Sequence, residues 1–232
     1  MPALDLSRPV LVLEAATTAG SVALLLPDGT TLVREVILGA GAADGLFPAV
    51  TDVLREAELM VTQLGAVVCG AGPGSFTSLR IAAALAKGLA HGAGLPLFAV
   101  PSLALAAAAL SASSPAGSLI VHADALRGER YALVVSRDAA GHVSWSEPPS
   151  RRSIDDLREA PLPLVSVGPS PAGLASVVDV WPHAAAARMA DGPWRADAVD
   201  LSRWEPAYGR LAEAQVKWEA SHGRPLPESH DA

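Results

Sequence analysis

The sequence predicts an α/β protein made of two successive βββαβα units, the second of them degraded. Three observations lead there. Short apolar runs alternate with helical patterns, turn signals at 27–30 and 138–141 each close a hairpin, and a stretch rich in Ser, Pro and Gly at 111–118 separates the two units. The expected lobes are residues 1–112 and 113–220, with a polar tail at 221–232.

The elements follow in order. Runs at 10–14, 21–26 and 31–38 read as a meander of three strands, with Pro27-Asp28-Gly29-Thr30 as a tight turn. Leu46, Val50, Val53, Leu54 and Ala57 recur at helical spacing, and Pro48 fits the first turn of that helix, where its missing N–H does little harm. A short apolar strand at 66–70, a helix at 77–91, a strand at 97–100 and a helix from 102 to about 110 complete the first unit. The second opens the same way, with strands at 119–123, 131–136 and 142–145. A short helix at 153–159 follows, with Ser153 as its N-cap and Asp155 and Asp156 in its first turn, and then a strand at 164–167. Beyond Pro169 the pattern weakens. Two such units in tandem are the element order of the actin-like ATPase fold (ASKHA, RNase H-like).

Half of the 232 residues are hydrophobic and 18% are charged, ample for a core. The net charge is −7 and there is no long Lys/Arg run, so the chain lacks the basic footprint of a protein that grips nucleic acid by itself. Cys69 is the single cysteine, which excludes an intrachain disulfide and a cysteine zinc site, and its place at the end of an apolar run predicts a small buried side chain. The first nine residues carry no signal-peptide pattern, and the longest apolar tract, 99–112, is too short to span a bilayer and contains Pro101. A soluble cytoplasmic protein without a membrane partner is the expectation.

Three segments carry a family resemblance. The first runs from Leu11 through Glu14, Thr17 and Ser21 to Leu24. The second is Gly70-Ala71-Gly72-Pro73-Gly74-Ser75-Phe76-Thr77-Ser78-Leu79-Arg80, continuing to Lys87-Gly88-Leu89. The third is Asp124-Ala125-Leu126-Arg127-Gly128-Glu129-Arg130-Tyr131, and Pro206, Tyr208, Arg210, Lys217 and Trp218 match more weakly. Together they resemble the TsaB (YeaZ) family of bacterial tRNA threonylcarbamoyladenosine biosynthesis, within the actin-like ATPase superfamily. The chain departs from the family pattern at Glu14, Ser78 and Leu126, where the family has Asp, Gly and Arg, and at 42–45, where a His-Ser-type pair is replaced by Ala42-Ala43-Asp44-Gly45. The resemblance implies a non-catalytic scaffold that pairs with a TsaD-type transferase through the first-lobe helices. A TsaE-type ATPase completes the complex, tRNA is met only through it, and a homodimer forms in isolation.

The motifs also have chemistry of their own. Gly72-Pro73-Gly74-Ser75 ends a strand and opens a helix, so it can be a structural turn or can offer N–H groups to an anion or a partner. It is neither a Walker A loop nor a dinucleotide fingerprint, and Pro73 lacks the N–H that a phosphate cradle would use. Ser75, sharing the role with Thr77, reads as the N-cap, since the spacing of a hydrolase elbow is missing. Glu14 and Asp124 end the first strands of their units, where a pair of acids could hold magnesium; alternatively Asp124, Arg127 and Glu129 form an ion-pair network at a turn. The residues that could contact a nucleotide or anion are Glu14, Thr17, Gly72, Gly74, Ser75 and Asp124. No cofactor is expected beyond weak ATP or ADP with Mg. None of the six histidines forms a His-x-x-x-His pair, which argues against metal catalysis, and no residue is a candidate catalyst. The enzyme alternative is an actin-like small-molecule kinase or ATPase; a peptidase is more remote.

The helix at 77–91 has two apolar stripes. Ile81, Leu85, Gly88 and Leu89 form one, and Leu79, Ala83, Ala86 and Ala90 form the other. The second, made mostly of small residues, is expected to face outward with Phe47 of the preceding helix as the partner interface.

Overall fold

The computed structural model describes residues 2–38, 45–114, 116–125, 128–174, 179–208 and 221–222. The first lobe is a five-stranded sheet in the order β3-β2-β1-β4-β5. Its strands are β1 (Val10–Glu14), β2 (Ala19–Leu25), β3 (Thr31–Ile37), β4 (Ala66–Gly70) and β5 (Leu97–Val100). The first three form an antiparallel meander, and β4 and β5 run parallel to β1. All five residues of β1 and all five of β4 are buried, as befits central strands covered on both faces. One face, with Leu11, Leu13, Val22, Leu24, Val67 and Leu97, packs under α1 (Leu46–Glu56) and α2 (Phe76–Ala93).

The side chains on that face settle how α2 lies. The sheet presents large residues, so the helix face that meets it is built from small ones: Ala82, Ala83, Ala86 and Ala90 are at most 5% exposed, and Leu79 is fully buried. The expectation that Leu79, Ala83, Ala86 and Ala90 point outward is therefore corrected. Small residues bring the helix axis close to the strands, while Ile81, Leu85 and Leu89 spread along its flanks, half-buried. The exposed side carries Thr77, Arg80, Ala84, Gly88 and His91. Gly94, at φ 64°, ends the helix in the left-handed conformation that glycine adopts without strain.

The helix α3 (Ser102–Ala108) joins the lobes and is buried on nearly every side. Leu103, Ala104, Ala106 and Ala107 face the second sheet, and Leu105 faces the first. After α3 the buried guanidinium of Arg137 donates to the carbonyls of Ser111 and Ser114, each at 2.9 Å, so the chain leaving the helix is held by a cation at its negative end.

The second sheet contains β6 (Gly117–Asp124), β7 (Glu129–Arg137), β8 (Val143–Ser144), β9 (Ser150–Ser153), β10 (Leu164–Val167), β11 (Asp179–Val180) and β12 (Ala190–Asp191). Its order is β11-β10-β6-β7-β8-β12, with β9 also paired to β7. The long β6–β7 hairpin forms where the sequence predicts strands, but the third strand shrinks to two residues and β9 supplies the rest of the pairing. The short helix α4 (Ile154–Arg158) packs on this sheet through Leu157. Ser153 caps it as expected: its hydroxyl accepts from the N–H of Asp156, whose carboxylate accepts from the N–H of Ser153. Strands β11 and β12 and the 3-10 turns Ala184–Arg188 and Pro193–Arg195 lie where the sequence pattern is weak. Of the weaker family matches, Arg210, Lys217 and Trp218 lie outside the described residues, as do Ala42 to Asp44, Leu126 and Arg127.

Candidate functional site

The two hairpin turns and the Gly72 loop meet at a cleft of about 290 Å³ between the lobes. Its first-lobe wall is Ala16, Thr17, Thr18, Pro73, Gly74 and Ser75, with Ser102 and Leu103 at the floor; its second-lobe wall is Ala123, Asp124, Tyr131, Val167, Trp181 and Pro182. The structure thus brings together four of the expected contact residues, Thr17, Gly74, Ser75 and Asp124, and leaves Glu14 and Gly72 behind the wall.

Glu14 is fully buried. One carboxylate oxygen accepts from the N–H of Ala16 at 2.6 Å and the other from the hydroxyl of Ser102 at 2.9 Å. The Ser102 oxygen in turn accepts from the N–H of Gly72 at 3.1 Å. This chain of bonds ties β1, the Gly72 loop and the start of α3 into one knot. Burial pushes the Glu14 carboxyl up to about 7, against the opposing pull of the Ala16 and Ser102 hydrogen bonds. A Cβ on Gly70 would fall 2.0 Å from the Glu14 carboxylate, so glycine is needed there to admit the acid. Both Glu14 oxygens are turned inward and engaged, on the side of the wall away from Asp124.

The glycines of the loop are likewise used by the chain itself. A Cβ on Gly74 would lie 2.1 Å from the carbonyl oxygen of Ala16, and one on Gly72, at φ 82°, would lie 2.5 Å from that of Ala207. The N–H of Ser75 donates to the Ala16 carbonyl at 2.7 Å. The close approach that glycine permits is therefore an approach of backbone to backbone. Ser75 occupies the N-cap position of α2 without a side-chain capping bond; its hydroxyl instead meets that of Ser78 at 3.1 Å, and Thr77 sits within the helix. Thr17 closes its own turn through the carbonyl of Ala19.

Across the cleft, the Asp124 side chain is 57% exposed and lies 3.7 Å from the guanidinium of Arg130. Arg130 is buried, and its nitrogens reach the Nδ1 of His122 at 3.1 Å and the hydroxyl of Ser166 at 3.3 Å. Burial and the neighbouring guanidinium push His122 down to about 4, so it stays neutral and can accept. Of the expected ion-pair network, Arg127 lies outside the described residues; Asp124 meets Arg130, and Glu129 meets Arg151 at 3.3 Å. Ser102, Tyr131 and Trp181 belong to the cleft without having been candidates. Ser102 carried only the signal of a helix start, and Trp181 falls where the pattern is weak. Among the described residues no Lys or Arg lines the cleft, and no three His, Cys, Asp or Glu side chains gather in a way that could hold a metal ion. No described helix is long and apolar enough to cross a membrane.

A family model described as "TsaD: tRNA N6-adenosine threonylcarbamoyltransferase" matches residues 43–140. The tRNA threonylcarbamoyladenosine biosynthesis protein TsaB of Escherichia coli is 35% identical over 132 residues, which are 57% of this chain and 57% of that protein. The TsaB of Bacillus subtilis is 26% identical over 227 residues, 90% of this chain and 97% of that one. The chain spans about half the length of the curated relatives it matches at more than 30% identity. The solved structure of YeaZ from Pseudomonas aeruginosa superposes with a TM-score of 0.71 at 26% identity, covering 87% of this chain and 99% of that one. With the Gly72 loop, the paired hairpins and the strand order already described, these likenesses make the chain similar to the TsaB (YeaZ) proteins.

Proposed function

We propose that the chain takes part in tRNA threonylcarbamoyladenosine biosynthesis as a non-catalytic scaffold that pairs with a TsaD-type transferase. The observation that carries this reading is the likeness to the proteins named TsaB, one of them along nearly its whole length. The cleft agrees with a role without catalysis: the first-lobe acid is sealed by Ala16 and Ser102, and the glycines of the loop are filled by the chain's own backbone. The kinase or ATPase reading would need Glu14 to leave that knot. The partner face is drawn from the exposed sides of α1 and α2. Phe47, 63% exposed, stays on it, and Ala84 and Gly88 take the place of the buried alanines. Small residues there let a partner helix approach closely, and an exposed Phe supplies apolar area. The TsaE-type ATPase, the tRNA met through the complex, a homodimer in isolation and a cytoplasmic setting belong to the same reading, and the net charge of −7 agrees with an RNA grip supplied by another subunit.

The test is reconstitution with TsaD-type and TsaE-type proteins, ATP and tRNA. The modification is expected to require this chain, which should be inert alone. Nothing lies within 4 Å of a Cβ at Gly88, so Gly88→Arg should fold normally while losing capture of the TsaD-type protein and the chain's own dimer. Undiminished capture by Gly88→Arg would move the interface elsewhere. Robust ATP turnover by the isolated chain, abolished in Asp124→Ala, would favour the kinase reading.

A further inference from the structure

Two lobes flanking a cleft normally move against each other, unless a large apolar interface joins them. Here the joint is such an interface, and its source is unexpected in sequence terms. The run 183–207 falls in the part of the chain assigned to the second lobe, yet most of it is bolted onto the first. Ala184, Ala187, Ala190, Trp194 and Ala198 pack under the first sheet's second face, against Val10, Val12, Val68 and Phe98. The indole of Trp194 meets the Phe98 ring edge-on with centroids 6.5 Å apart. Among the described helices only α3, itself shared by the lobes, reaches this area, through Leu105.

Polar bonds fix the same run along its length. The N–H of Ala184 donates to the Ser21 hydroxyl at 2.9 Å, and Arg188 donates to the Leu26 carbonyl at 2.9 Å. His183 meets Glu35 at 2.6 Å. Farther on, the N–H of Val199 donates to the Leu97 carbonyl and that of Ala207 to the Ala71 carbonyl, each at 2.8 Å. In the middle of this run lies β12, a strand of the second sheet. Ala190 is registered on Val143 of β8 while its side chain is buried in the first lobe's core. The Val143 N–H donates to the Met189 carbonyl at 2.8 Å, so the backbone beside Ala190 is bonded into one sheet while the Ala190 side chain packs on the other, and opening the cleft would have to tear one of the two contacts.

We propose that the two lobes form one cooperative body, and that the cleft keeps a single width set by the run 183–207. Nothing in this depends on which partner the chain meets. Native-state hydrogen exchange, followed by mass spectrometry over rising denaturant, tests the cooperativity. Peptides from β4 and β7 are expected to open together, at the same denaturant dependence. Opening of β7 while β4 stays protected would overturn the proposal. The double variant His183→Ala, Arg188→Ala removes two surface anchors and leaves the apolar contact intact. It should lower protection in both lobes by the same factor, roughly tenfold for two hydrogen bonds. A loss confined to one lobe would count against it. Width is tested by spin labels on Arg55→Cys and Glu159→Cys, both exposed, with Cys69 buried and unreactive. One narrow separation, the same with and without ATP and Mg, is expected. A broad or two-peaked distribution, or a shift on adding ATP and Mg, would show a moving cleft and sink the idea.

Discussion

Glu14 and Asp124 occupy the same place in the repeated topology, the last residue of the first strand of each unit, and they live in opposite surroundings. Glu14 is sealed from water, bonded to Ala16 and Ser102, and pushed toward neutrality. Asp124 stands at the cleft wall, with a buried guanidinium behind it. The difference follows from what lies beyond each strand end. In the first lobe the Gly72 loop and α3 close over the acid, while Asp124 stands 57% exposed at the cleft wall. Duplicated topology therefore repeats positions and does not repeat chemistry. A buried acid serves cohesion within its lobe, while an exposed one meets water and the cleft.

The contrast between sealed and open positions can be broken in three ways. The largest effect is expected on α2. Ala86→Arg forces a charge between helix and sheet, and should remove more than about 4 kcal/mol, enough to abolish a cooperative melt, whereas Gly88→Arg on the open side should melt within about 0.5 kcal/mol of the parent. Similar melts for the two variants would mean that the buried face has been misassigned.

The second effect is a pair of opposed pH slopes. Between its ordinary 4.5 and about 7, Glu14 holds a proton in the folded chain that the unfolded chain releases, so stability falls as pH rises through that window. His122 does the reverse: between about 4 and its ordinary 6.5 the unfolded chain binds a proton that the folded one refuses, so stability rises with pH. Each slope is worth about 3 kcal/mol over its window, and the two largely cancel where they overlap. Glu14→Gln should unmask the rising slope of His122, and His122→Asn, which keeps an acceptor for Arg130, should unmask the falling slope of Glu14. Urea midpoints measured across this range decide it; parallel profiles for parent and variants would remove both assignments.

The smallest effect is expected at Asp124. Its ion pair with Arg130 is long and half in water, so Asp124→Ala should change stability by about 1 kcal/mol or less in a thermal melt. A larger loss would place Asp124 among the structural acids, with Glu14.

Strand and helix order, the Ser153 cap and the burial of Cys69 were legible because they rest on local chemistry: alternation, capping groups and apolar runs. The orientation of α2 was not. Both of its stripes satisfy a helical period, and the choice between them depended on the bulk of Leu11, Leu13, Val67 and Leu97, which come from other strands. The site was half legible. Thr17, Gly74, Ser75 and Asp124 stand on the cleft, as the motifs suggest, while Glu14 and Gly72 lie behind it and Tyr131 and Trp181 join it.

The sequence by itself determined the two units, their order and the glycine loop, since φ preferences, periodicity and turn residues act over a few neighbours. Only the tertiary structure decided that Glu14 is a knot, that the small face of α2 is core, and that residues 183–207 return to the first lobe. Each of these depends on which distant surface fills the space beside a side chain, and burial, with the desolvation it brings, is a property of that contact and not of the residue that makes it.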